Sequence, residues 1–170
     1  MSKSVRTACA AAHVPYRRLL RAALDAEDAV YVRDAAEAAV FLRNTEGNIL
    51  LTTGANELGA FAGLPPERLF ARVLPSHEGI AACEAAGLPH RGIIAMQGPF
   101  SEELNAALLR QYHIAWVVTK DGGAAGGFPE KVRAAKACGA SLIVLRRPEE
   151  TGETMEDIMR EIEEMRNTCG

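Results

Sequence analysis

The chain has 170 residues, with 19 Lys or Arg against 22 Asp or Glu, 48% apolar and 5% aromatic content, the profile of an ordinary globular protein. A chain of this length buries roughly two thirds of its unfolded surface, so no disulfide or metal staple is required. Residues 149–166 hold eight acids and two bases, leaving 17 bases and 14 acids elsewhere, a surplus too weak for a nucleic-acid surface but suited to a pocket for a phosphate- or carboxylate-bearing small molecule.

Short apolar runs alternate with segments of helical period along the chain. In order, the pattern predicts the end of a helix over 3–12, a strand over 14–20, a helix over 34–43 capped by Asp34, and buried strands over 48–52 and 69–74. A helix over 77–86, a strand over 92–96, a helix over 101–112 and a strand over 114–119 follow. The series ends with a helix over 129–138, a strand over 141–145 and a terminal helix over 154–166. Apolar runs without alternation belong to strands covered on both faces, and the intervening helices act as right-handed crossovers. The fold class expected is therefore α/β, a Rossmann-like parallel sheet flanked by helices. Trp116 is expected in the core, and the stripe Met155, Ile158, Met159, Ile162 and Met165 is expected to be the docking face of the last helix.

In such a sheet, ligands bind beyond the carboxyl ends of the strands. The turns expected there are all polar, glycine-bearing or cationic: Thr52-Thr53-Gly54 after the first buried run, Pro75-Ser76-His77 after the next, then Gln97-Gly98-Pro99-Phe100-Ser101, the stretch TKDGGAAGG over 119–127, and Arg146-Arg147. The opposite turns, around Gly87 and Gly139, read as plain helix stops. Gly98 permits close backbone approach and Ser101 suits a helix N-cap, so this turn offers free N–H groups to an anion as well as a well-capped helix start. The four glycines of 119–127, with Lys120, suit an anionic ligand or a flexible linker, but the Walker order is absent. His77 is expected to be a capping or surface residue, and Ser101 lacks the surroundings of a hydrolase nucleophile.

Cys9, Cys83, Cys138 and Cys169 form no CxxC pair and have no His at ligand spacing, so they are expected as free thiols in a reducing compartment, with no metal site. No apolar run reaches the ~18 residues of a membrane span and no secretory signal opens the chain. A cytoplasmic protein without membrane or nucleic-acid partners is expected, and a monomer is the favoured state.

Taken in order and spacing, LLTTG (50–54), MQGPFSEELN (96–105), TKDGGAAGGFPEK (119–131) and LIVLRRP (142–148) resemble the C-terminal half of the precorrin-6A reductase family, including the cobalt-precorrin-6A reductases of cobalamin biosynthesis. Ser4, Ala8, Cys9, Val14-Pro15, Arg18 and Arg21 resemble the stretch that closes the N-terminal half of that family. The resemblance implies a two-lobe reductase of which 1–24 would end the N-terminal lobe and 25–170 would form the Rossmann-like C-terminal lobe, the remainder of the N-terminal lobe being absent. It implies reduction of one double bond in a tetrapyrrole (a precorrin or cobalt-precorrin) with NADPH or NADH. It nominates Thr52, Thr53, Gly54, Gln97, Gly98, Phe100, Ser101, Thr119, Lys120 and Gly123 for the cofactor and Lys120, Arg146 and Arg147 for the substrate, with no side chain identified as catalytic. Gly122 departs from the family, which often has Ser there. A non-catalytic ligand-binding lobe and a generic α/β nucleotide-binding domain are the alternatives.

Overall fold

The computed structural model describes residues 2–17, 19, 26, 28–121, 127–146 and 152–168. The chain divides into two compact units, one made of residues 1–22 with 149–170 and one of residues 23–148. The terminal segment 149–170, expected to belong with the body, thus clusters with the first residues.

The smaller unit contains helix α1 (Ser2–Ala11) and helix α6 (Met155–Thr168). No strand forms over 14–17; Leu19 makes a single parallel bridge to Glu153. Pro15 lacks an N–H for a ladder, which limits pairing here. Arg17 instead pairs with Glu161 and, at 3.4 Å, with Glu153. On α6 the stripe of Met155, Met159, Ile162 and Met165 is 49–55% exposed, so the described residues do not cover the face expected to dock.

The larger unit is a six-stranded, all-parallel sheet in the order β1-β6-β5-β2-β3-β4. Its strands are β1 (Val30–Val32), β2 (Asn48–Leu51), β3 (Leu69–Val73), β4 (Ile93–Ala95), β5 (Ile114–Lys120) and β6 (Ser141–Leu145). Among the described residues its α-helices are α2 (Ala35–Leu42), α3 (His77–Ala85), α4 (Glu102–Gln111) and α5 (Phe128–Cys138). β1 is a three-residue strand that periodicity alone does not reveal, while the other five lie where the apolar runs predict. Asp34 caps α2 by accepting from the Glu37 N–H at 2.9 Å. Between β2 and β3 runs a 3-10 segment, Ala55–Phe61, whose Leu58 and Phe61 are both buried; the i, i+3 stacking of a 3-10 turn puts both on one side.

Strand residues alternate between two apolar layers. Ile49, Leu51, Ala71, Val73, Val118 and Ile143 pack under α2, the 55–61 segment and α3. Leu50, Phe70, Ile94, Val117, Leu142 and Val144 pack under α4 and α5. Every strand is covered on both faces, which is why its sequence reads as a continuous apolar run. Crossovers from β1 to β4 advance along the sheet over one face; those from β4 to β6 return over the other. As a result the neighbours β2 and β5 send their chains to opposite sides at their carboxyl ends, a topological switch point.

Candidate functional site

The switch point is built from Thr52, Thr53 and Gly54 on one side and Thr119 and Lys120 on the other. Thr52 is part of the sheet: its N–H and its Oγ1 both donate to the Val118 carbonyl, at 2.8 and 2.9 Å. Thr119 is fully buried, and its hydroxyl donates to the Lys120 carbonyl at 3.2 Å. Thr53 differs from both. It is 7% exposed, and its Oγ1 has no hydrogen-bond partner among the described residues. An unpaired buried hydroxyl costs about 1–3 kcal/mol, so its retention calls for a partner that the described residues do not provide. Gly54 follows with φ +91° and open space where a Cβ would stand, a conformation that favours glycine and leaves the backbone approachable.

Lys120 Nζ lies 2.8 Å from Glu57 Oε1, and both side chains are partly exposed. Lys120 therefore stands at the mouth of the switch point with a carboxylate already attached, and Glu57 is a member of the site that sequence patterns did not reveal. An exposed pair of this kind is worth at most about 1 kcal/mol and exchanges readily for another anion.

A second part of the edge follows β4. Ser101 caps α4, accepting from the Leu104 N–H at 3.2 Å. Hydrogen bonds from the Glu103 N–H and the Ser101 hydroxyl hold the Glu103 carboxyl below the usual carboxylate range, so this helix start already carries an acid. Glu102 turns to Arg133, 2.6 Å away. Gln97 and Gly98 are exposed; a Cβ on Gly98 would stand 3.1 Å from the Phe100 ring, so a side chain there would have to displace the ring by a few tenths of an ångström.

The Phe100 ring lies over the Arg72 guanidinium, 4.0 Å from Cζ to ring centroid. Arg72 is 7% exposed and donates from Nη1 to Asn105 Oδ1 at 2.8 Å. Asn105, itself buried, donates back to the Ser101 carbonyl at 2.7 Å and the Phe100 carbonyl at 3.4 Å. Burial pulls the Arg72 guanidinium down to about 10, and it remains a cation at neutral pH. Burial and then the Arg72 charge pull the Lys131 ammonium down to about 8. Sequence reasoning missed Arg72, Asn105 and Lys131. The available signal was a basic residue within the otherwise apolar strand LFARV.

Arg146 follows β6 at the far side of the sheet. Its N–H donates to the Val32 carbonyl at 2.8 Å and its guanidinium lies 5.4 Å from the Tyr31 ring. The sheet places it two strands from β2, beside β1. Gly123 and Arg147 lie outside the described residues. Among the described residues no group of three or more His, Cys, Asp or Glu side chains could hold a metal, and no helix is long and apolar enough to cross a membrane. Cys9, Cys83 and Cys138 are free thiols.

The comparison with known families is decisive. The model described as Precorrin-6x reductase CbiJ/CobK matches residues 1–166. The chain belongs to that family. It is 39% identical over 153 residues to the cobalt-precorrin-6A reductase of Priestia megaterium, covering 86% of this chain and 60% of the relative. It is 45% identical over 118 residues to that of Methanothermobacter thermautotrophicus, covering 69% of this chain and 39% of the relative. Among solved structures, the CobK precorrin-6A reductase superposes with a TM-score of 0.74 at 27% identity, over 94% of this chain and 66% of that one. This family member thus spans 60% of the Priestia megaterium relative's length.

Proposed function

We propose that this chain carries the ligand-binding edge of an NAD(P)H-dependent precorrin-6A or cobalt-precorrin-6A reductase, an enzyme reducing one double bond of a tetrapyrrole in the cytoplasm. The observation that carries the reading is the buried, unpartnered Thr53 hydroxyl beside Gly54 at the β2/β5 switch point. The residues at this edge fit a dinucleotide: an orphaned hydroxyl, an open glycine and an exchangeable cation stand together where doubly wound sheets bind such ligands. When bound, the nicotinamide supplies the hydride.

The chain's own part is to bind and orient. Thr53 gives a hydrogen bond from a buried position, which fixes direction as well as affinity. Gly54 lets the ligand approach the backbone. Lys120 exchanges Glu57 for an anionic group of the cofactor or a macrocycle carboxylate. Gln97, Gly98, Phe100 and Ser101 form the second wall, and Gly123 is assigned to the cofactor on its family motif alone. Arg146 supplies positive charge for further carboxylates beside β1, leaving the switch point to the cofactor, and Arg147 is assigned to the substrate on its family motif alone.

Thr53→Val tests this reading with two opposite signs. Valine keeps the β-branched shape and removes the unpaired hydroxyl, so the free protein is expected to melt at the same or a higher temperature. Binding of NADPH or NADH, followed by calorimetry, is expected to weaken about fivefold or more, the worth of one net hydrogen bond. Unchanged affinity in the variant would remove Thr53 from the site. Wild-type protein that binds neither nucleotide would remove the reading itself.

A further inference from the structure

We propose that Arg72, clamped between Asn105 and the Phe100 ring, is an oxyanion anchor on the α4/α5 side of the same edge, taking a phosphate of the dinucleotide or a carboxylate of the macrocycle. The inference rests on the reading above and adds to it a binding residue and the chemistry it selects.

Burying Arg72 is costly. A guanidinium carries five N–H donors and a permanent charge. At 7% exposure Arg72 has one hydrogen bond from Nη1 to a neutral amide oxygen and one aromatic face, and no carboxylate lies on it among the described residues. A cation taken out of water this far ordinarily brings an anion with it. Burial alone lowers the Arg72 guanidinium, to about 10, and no carboxylate among the described residues offsets it. A tether for the 97–101 turn would need only a neutral donor to Asn105. A cation buried without a carboxylate among the described residues makes sense when an anion arrives to take it.

Placement points the same way. Arg72 pairs in register with Ile94, and Leu51 pairs with both Ala71 and Val118. One step further along, Arg72, Thr52 and Thr119 form a polar row across β3, β2 and β5 on the layer shared with α4 and α5. Arg72 is therefore one strand from the switch point, on the last layer before the carboxyl edge. The start of α5 has no side-chain cap, with Gly127 in the left-handed region at its N-cap, so its first N–H groups add positive potential on the same side. The start of α4, by contrast, is already occupied by Ser101 and Glu103. The planar fork of an arginine selects phosphate or carboxylate by paired N–H···O bonds.

The test is calorimetric titration of the full chain with NADP+ and, separately, with uroporphyrin, an octacarboxylate macrocycle. The proteins are wild type, Arg72→Met, Arg72→Lys and Asn105→Asp. Arg72→Met is expected to bind one of the two ligands roughly tenfold to a hundredfold more weakly, the range of charge-assisted hydrogen bonds. Loss for NADP+ assigns the phosphate, loss for uroporphyrin the carboxylate. Arg72→Lys should recover part of the loss. Asn105→Asp keeps the guanidinium but gives it a built-in carboxylate, so it must weaken the same ligand even where Arg72→Met folds poorly. Wild-type affinity for both ligands in Arg72→Met and in Asn105→Asp would overturn the anchor alone. Wild-type protein that binds neither ligand would overturn the reading beneath it as well.

Discussion

Lys131 links the charge arrangement around Arg72 to a measurable titration. Its ammonium, ordinarily at 10.5, is pulled down to about 8 by burial and by the Arg72 charge, with Glu130 opposing. Between pH 8 and 10.5 the unfolded chain therefore holds more protons than the folded one, and stability must rise as pH is raised through that window. Melting temperature measured against pH should show this rise, and Lys131→Met should flatten it. A rise that persists in Lys131→Met would assign the effect to another group. The individual roles of such residues were only partly legible beforehand. Thr52, Thr53 and Thr119 are alike as letters, yet two hydroxyls are consumed by the sheet and by a neighbouring carbonyl, while the third has no partner among the described residues. That distinction depends on register and burial. Glu57 lies 63 positions from Lys120, and no local pattern brings the two together.

Among the elements, α4 was the most readable and is the most testable. Ser101 followed by two glutamates at the end of an apolar strand is a helix start on chemical grounds alone, and the hydroxyl does accept from Leu104. Ser101→Ala should cost about 1 kcal/mol in denaturant unfolding, the usual worth of a cap. A loss below about 0.3 kcal/mol would mean that Glu103 and the turn alone hold the helix end. β1 escaped because three residues are too few to show a period, and it exists through tertiary pairing with β6 rather than local preference. The 14–20 run has strand-like letters, but pairing within it is confined to the Leu19 bridge among the described residues. The Ala55–Phe61 segment is hidden for a third reason: its burial spacing of three suits a 3-10 turn and matches neither the strand period of 2 nor the helical period of 3.6.

For the larger unit as a whole, the parallel α/β class followed from the apolar runs. The strand order, and with it the place where the crossovers reverse direction, came only from the three-dimensional pairing. That reversal separates the loops nominated by resemblance into two groups: 52–54 with 119–120 at the β2/β5 divergence, and 97–101 beyond β4 at the sheet edge, joined to β3 through Arg72 and Asn105. The two apolar layers hold these groups at a fixed spacing, since β2 is buried on both faces at Ile49, Leu50 and Leu51. We propose that this carboxyl edge is where the cofactor binds. Hydrogen exchange of the full chain with and without NADPH tests it most directly. Slowed exchange at 52–54, 97–101 and 119–121, with no change at the opposite turns around Gly87 and Gly139, is the predicted result. Protection centred on those opposite turns, or none anywhere at saturating NADPH, would contradict it.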